Sequence, residues 1–237
     1  MTMNIAHRGF SAAYPENTMM AFQKAIEAQC DGIELDLHLT RDGEIIVFHD
    51  ESVDRITNGR GFVRDMDYPE IRKLDAGKGE HIPALDEYFD LAEKTGIITI
   101  IELKNNVFPY NGMEEKIIEK IRRRKMEGRV LLSSTNHFSV LKCKKLAPDM
   151  NCGFIVQDWM IDAGAYSKKH AMDSVHTEFH SLTDGAMAEI RSHGVEIHTW
   201  TVNDPACMKQ LASRGVDSIT TDDPKLLREI LNQYGNN

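Results

Sequence analysis

Long hydrophobic runs are missing from this chain. None of its 237 residues falls in an apolar stretch approaching the roughly 18 that a bilayer-spanning helix needs, which excludes a helical membrane anchor. The first apolar run, residues 3–6, starts almost at the N-terminus, so a secretory leader is not expected and the cytoplasm is the expected compartment. Cysteine is sparse: Cys30, Cys143, Cys152 and Cys207 lie far apart with no Cys-x-x-Cys pair, which excludes a thiolate zinc cluster and predicts free, mostly buried thiols. Positive charge is in deficit, with 28 Lys and Arg against 37 Asp and Glu, and the net charge of −9 argues against nucleic acid as a partner. The one basic run, Lys120 to Lys125, closes a helical pattern and reads as a solvated helix end. No Gly-x-Gly-x-x-Gly turn follows the first run, so a doubly wound dinucleotide fold fits poorly.

What is present is an ordinary globular composition, 41% hydrophobic and 27% charged, arranged as short β-branched runs alternating with amphipathic stretches. Strands are predicted at 4–6, 32–37 with a companion near 45–48, 97–101, 130–133, 152–156, 174–176, 195–199 and 218–220. Helices are predicted at 18–29, 84–94, 112–126, 137–146, 161–170, 184–193, 205–214 and 224–234. Several carry start and stop chemistry: Asn17 before the first, Asn203 or Asp204 before Pro205, Asp223 before Pro224, and Gly194 and Gly215 after two others. Eight such units predict an α/β fold, a closed (β/α)8 TIM barrel spanning 1–237 as one catalytic domain, with functional residues at the C-terminal strand ends. The rhythm breaks at 50–83, which reads as an insertion loop at the catalytic mouth.

Polar residues of a particular kind recur at those strand ends. Glu34 and Asp36 share one face of the second strand, and Glu102 closes the run Ile97-Ile98-Thr99-Ile100-Ile101. Three such carboxylates suit one divalent cation, Mg2+ or Ca2+, which prefer oxygen ligands. Burying Glu102 unpaired costs several kcal/mol, and a cation removes that penalty. His7 and His49 have the chemistry of a general acid and base near neutral pH. Arg8 offers a planar fork for phosphate oxygens, and Lys104 a compact charge on the same rim. Trp200 ends the seventh strand and offers an aromatic face to a small polyol; His38 shares the face of Glu34 and Asp36. His170, His176 and His180 fit no metal-ligand spacing and are read as unrelated.

Taken together, His7-Arg8-Gly9, Pro15-Glu16-Asn17-Thr18, Glu34-Leu35-Asp36, Thr40-Arg41-Asp42-Gly43, Val47-Phe48-His49-Asp50, Ile101-Glu102-Leu103-Lys104 and Trp200-Thr201-Val202-Asn203 resemble the glycerophosphodiester phosphodiesterases, in order along nearly the whole chain. The resemblance implies a TIM barrel that hydrolyses glycerophosphodiesters to sn-glycerol 3-phosphate and an alcohol with one divalent cation. It further implies Glu34, Asp36 and Glu102 as metal ligands, His7 and His49 as the acid/base pair, Arg8 and Lys104 as phosphate contacts, and Trp200 lining the glycerol pocket. The expected order of roles is His7 as base and His49 as acid. The expected partner is a small-molecule glycerophosphodiester, with no nucleic acid and no stable membrane anchor. Two rivals stand beside it. One is a barrel cleaving lysophospholipids or phosphoinositides, which calls for an exposed apolar rim not visible in the sequence. The other is a barrel that only binds phosphorylated ligands, disfavoured by the full set of histidines and carboxylates.

Overall fold

The computed structural model describes residues 2–234. Among these residues, nine strands form one sheet: β1 (Met3–His7), β2 (Gly32–Leu39), β3 (Ile45–Val47), β4 (Ile98–Leu103), β5 (Val130–Ser134), β6 (Asn151–Val156), β7 (Ser174–Glu178), β8 (Glu196–Trp200) and β9 (Ser218–Thr221). Pairing runs β1-β9-β8-β7-β6-β5-β4-β2, and β1 pairs back onto β2, so eight parallel strands close into a barrel without edges. The connecting helices are α1 (Met19–Glu27), the short α2 (Tyr68–Ile71), α3 (Leu85–Thr95), α4 (Met113–Arg123), α5 (His137–Leu146), α6 (Ala163–Lys169), α7 (Asp184–Ser192), α8 (Pro205–Ser213) and α9 (Pro224–Tyr234). The fold is the (β/α)8 barrel that the alternation of runs predicts.

Alternation along β2 explains the layering. Ile33, Leu35 and Leu37 turn outward and are buried with Phe22 and Ala25 of α1 and Tyr88, Phe89 and Ala92 of α3. The intervening Glu34 and Asp36 therefore face the barrel interior. Inside, the floor is apolar where Ile5, Ile100 and Leu131 meet. Toward β7 to β9 the interior is polar. His176 and His198 stack with ring centroids 4.6 Å apart, His198 Nδ1 lies 2.6 Å from Ser218 Oγ, and His176 Nε2 lies 3.1 Å from Ser174 Oγ. Gly153 makes room for this column, because a Cβ there would stand 2.2 Å from Ser174 Oγ.

β2 is longer than the sequence pattern indicates. Beyond its parallel ladder with β4 it continues to Leu39 and pairs antiparallel with β3, Leu37 opposite Val47. The segment after β3 then builds a core of its own from Phe48, Val53, Val63, Ile71, Ala76 and Ile82 around Ile46. Helix ends mostly follow the sequence: Asp204 caps α8, Asp223 accepts from Leu226 N, and Gly194 and Gly215 take the left-handed conformation with φ of 68° and 70°. The start of α1 is a correction, since Thr18 rather than Asn17 is its cap, accepting from Ala21 N. The basic run is also more than a solvated end: Arg124 and Lys120 both bind Asp86 on α3. Of the four cysteines, all are free and Cys207 alone is not fully buried.

Candidate active site

His7 is the last residue of β1, and the chain turns sharply just after it. Arg8 and Gly9 both have positive φ, 55° and 83°. Only glycine fits the second position, since a Cβ there would stand 2.7 Å from the Ala21 carbonyl carbon. That turn aims the Arg8 guanidinium across the mouth, where Nη1 donates to Glu16 Oε1 at 2.8 Å and Nε stands 3.4 Å from Asp36 Oδ2. Asn17, freed from capping and itself at φ 55°, donates from Nδ2 to Asp36 Oδ2 at 2.9 Å.

Three carboxylates converge at the junction of β2 and β4. Asp36 and Glu102 are register partners, and Glu34 is the partner of His7 on β1. One oxygen of each of Glu34, Asp36 and Glu102 lies within 4.8 Å of the others. Burial pushes the Glu34 carboxyl well above the usual range, with the Asp36 charge adding to the effect, and burial also raises Glu102. Asp36 goes the other way: burial opposes its charge, but Lys104 and Arg8 hold it below the usual range. The cluster thus concentrates negative charge that the protein balances only in part, with oxygen donors alone. Lys104 sits across from it, its Nζ 3.0 Å from Glu102 Oε1 and 3.7 Å from Asp36 Oδ1, and it donates to His49 Nε2 at 3.1 Å.

Each candidate histidine is oriented by an acid at Nδ1. His7 Nδ1 bonds Asp222 Oδ1 at 2.6 Å, and that carboxylate also accepts from Ser11 Oγ and from Asn203 Nδ2. Burial would raise Asp222, yet these bonds, led by that of His7, hold it at about 2. His49 Nδ1 bonds Asp50 Oδ1 at 2.6 Å, and Asp50, likewise held at about 2 against burial, is gripped by Arg55. Arg55 continues to Glu16, which completes a ring back to Arg8. His38 does not reach the mouth. Its Nε2 meets the His49 carbonyl at 3.0 Å and its Nδ1 the Tyr110 hydroxyl at 2.9 Å, so it supports His49 from beneath.

These groups border a cavity of about 130 Å³ lined by His7, Arg8, Glu34, His49, Glu102, Lys104 and Trp200. Asp36 lies beneath it, 1% exposed. All eight residues singled out from the sequence are therefore gathered at one mouth. The opposite wall is formed by Ser133, Thr135, Ile155, Gln157 and His176, none of which the sequence reading placed there. Around this cavity, Thr135 Oγ1 and Trp200 Nε1 are buried with no hydrogen-bond partner among the described residues. Asp222 was also missed as a partner of His7, although it stands in the segment Thr220-Thr221-Asp222-Asp223 directly after β9, where a strand-end acid is the available signal. His170 and His180 lie apart, His170 against Tyr166 and His180 against Glu178, as their spacing predicted.

Comparison with known proteins identifies the family of the chain. The profile of the glycerophosphoryl diester phosphodiesterase family matches residues 7–226. A glycerophosphodiester phosphodiesterase of Caldanaerobacter subterraneus subsp. tengcongensis is 40% identical over 241 residues, covering 99% of each chain. One from Bacillus altitudinis is 36% identical over 234 residues, covering 94% of this chain and 96% of its own. The structure of an Oleispira antarctica phosphodiesterase, in complex with the product sn-glycerol-3-phosphate, has a TM-score of 0.86 at 26% identity and covers 96% of both chains. With the family profile spanning the barrel from His7 to beyond β9, the chain belongs to the glycerophosphoryl diester phosphodiesterase family.

Proposed function

We propose that this enzyme hydrolyses small glycerophosphodiesters to sn-glycerol 3-phosphate and an alcohol, with a divalent cation at Glu34, Asp36 and Glu102 and with His7 and His49 as the acid/base pair. One observation carries the reading: two imidazoles, each fixed by a carboxylate at 2.6 Å, border one cavity beside a three-carboxylate cluster. Family membership supports the reaction class. The donor set fits Mg2+ or Ca2+, because it is all oxygen, buried on two of its three members and short of positive charge. When bound there, such an ion supplies Lewis-acid stabilisation of charge on the phosphoryl oxygens.

The chain's own groups do the rest. Arg8 and Lys104 face the non-bridging phosphate oxygens, where developing charge is stabilised by donors already in place. Lys104 donates to His49 Nε2, which makes that nitrogen an acceptor and His49 the base. His7, whose acid partner is held by the neutral Ser11 and Asn203, is then the donor to the departing alkoxide. This order is the reverse of the one expected from sequence. The attacking group is water or the substrate's own glycerol hydroxyl, and a cyclic phosphate product distinguishes them. Trp200 Nε1 and Thr135 Oγ1 are donors suited to the polyol.

The direct test is release of glycerol 3-phosphate from glycerophosphocholine and glycerophosphoethanolamine with Mg2+ or Ca2+, then after chelation. Release that chelation abolishes is expected. Release unaffected by chelation removes the cation from the mechanism, and no release from either diester overturns the substrate assignment.

A further inference from the structure

Charge alternates around the catalytic mouth in a closed circuit, and Arg55 is the cation in it that does not line the cavity. Its guanidinium bridges two carboxylates. Nη1 and Nη2 donate to Glu16 Oε2 and Oε1 at 3.0 and 2.7 Å, while Nε and Nη2 donate to Asp50 Oδ2 and Oδ1 at 2.6 and 3.1 Å. On one side Glu16 Oε1 also accepts from Arg8, and on the other Asp50 Oδ1 holds His49 Nδ1. The circuit closes through Lys104, which meets both His49 Nε2 and Asp36 Oδ1, and through Asp36 Oδ2, which faces Arg8 Nε.

The backbone delivers Arg55 to this place. Val53 is fully buried in the core of the segment after β3, and Ile56 packs against that core. Thr57 donates from N and from Oγ1 to the Val53 carbonyl, and Gly61 N donates to Asp54 Oδ1 at 2.8 Å. With its neighbours tied down on both sides, the Arg55 side chain lies across the two carboxylates although it is 47% exposed. An exposed ion pair contributes little to stability, but a planar fork with two bonds to each carboxylate fixes geometry. Asp50 is free to turn about its last side-chain torsion unless both oxygens are gripped, and Arg55 grips both. Burial opposes the charge of Glu16, yet bonds from Arg55 and Arg8 hold its carboxyl below the usual range, so both ends of the bridge stay ionised at neutral pH. Lysine would supply the charge without the fork.

We propose that Arg55 is a positioning residue of the phosphodiesterase reaction: it locks Asp50, and through Asp50 the His49 imidazole, at one angle to the cavity. The inference rests on the role given to His49 above. The segment after β3 thereby takes part in catalysis without touching the substrate. Seating of its first turn sets the catalytic histidine, because Arg55 reaches the mouth only when Val53 and Ile56 are packed in the segment's core. Arg8 is tied to the same bridge through Glu16, so the phosphate contact and the histidine share one fastening.

The test measures kcat and KM for glycerophosphocholine in Arg55→Ala, in Asp50→Asn, in the double variant, and in Arg72→Ala. Arg72 fastens the same segment to Glu87 of α3 and does not line the cavity, so its loss reports on seating alone. Arg55→Ala is expected to lose about 10- to 100-fold in kcat with KM little changed, as partners one step behind a functional group do. The double variant should lose no more than Asp50→Asn, because Arg55 acts through Asp50. Arg72→Ala should keep its kcat. A loss confined to KM, additive losses in the double variant, or an equal loss in Arg72→Ala overturns the inference. If the unaltered enzyme does not cleave glycerophosphocholine, it is the substrate assignment that fails, and proton NMR then decides Arg55 separately. His7 and His49 each hold a carboxylate at Nδ1, at 2.6 Å, and each should give a downfield imidazole N–H resonance, assigned by its disappearance in His7→Ala or His49→Ala. Arg55→Ala should weaken or abolish the His49 resonance and leave that of His7; an unchanged His49 resonance overturns the proposal.

Discussion

At the scale of single residues, the two histidines differ in what stands behind them. His49 backs onto Asp50, Arg55 and Lys104, whereas Asp222 behind His7 is held by an amide and a hydroxyl. If His7 protonates the leaving group, His7→Ala should lose roughly 10²- to 10⁴-fold on glycerophosphocholine but far less on a p-nitrophenyl phosphodiester, whose leaving group needs no proton. His49→Ala should lose similarly on both; equal losses for the two variants would reject the assignment. Asp222→Asn keeps the shape but removes the charge that fixes the imidazole, so kcat should fall about 10²-fold with KM little changed. A drop confined to KM would instead make Asp222 a substrate contact. The eight residues named from sequence were legible because acids and histidines at the ends of apolar runs are conspicuous. Asp222, Thr135 and His176 were not, because their significance lies in partners or walls contributed by other strands.

At the scale of elements, β/α alternation was readable since each strand sends every second residue into the helical layer. The extent of β2 was not, because His38 and Leu39 run past the ladder with β4 and pair only with β3, and His38 and Thr40 blur the apolar run there. One fastening of the segment after β3 is Glu87 of α3, which accepts from the Tyr68 hydroxyl, from Arg72 and from His81, and also from Ala84 N at its own helix start. Burial would raise this carboxyl, but those partners hold it at about 2. A depressed folded-state pKa adds stability above the unfolded value and loses it as pH falls toward the folded one. Glu87→Gln should therefore cost about 1–2 kcal/mol at neutral pH, discounted because the group is partly solvated, and the deficit should fade between about pH 4.5 and 2. Denaturant unfolding of both proteins across that range is the measurement, and a deficit constant with pH contradicts it.

At the scale of the whole molecule, a cation at the carboxylate cluster would couple its own binding to stability. Glu34 and Asp36 come from β2 and Glu102 from β4, so an ion held by all three would bridge neighbouring strands and bind only where the two are paired. At a hundred times its dissociation constant the ion should add about 2.7 kcal/mol, which for a chain of this size is roughly 5–10 °C in Tm. Calorimetry with and without chelator tests this, and Glu34→Gln should raise Tm without metal while blunting the response to it. The bond between His7 and Asp222 joins positions 215 apart in sequence, on the strand that opens the barrel and just past the one that closes it. A chain emerging from the ribosome consequently carries both histidines and all three acids long before it holds a working site. On the proposed mechanism, a product cut short before β9 would hold both histidines and all three acids and still lack the carboxylate that orients His7.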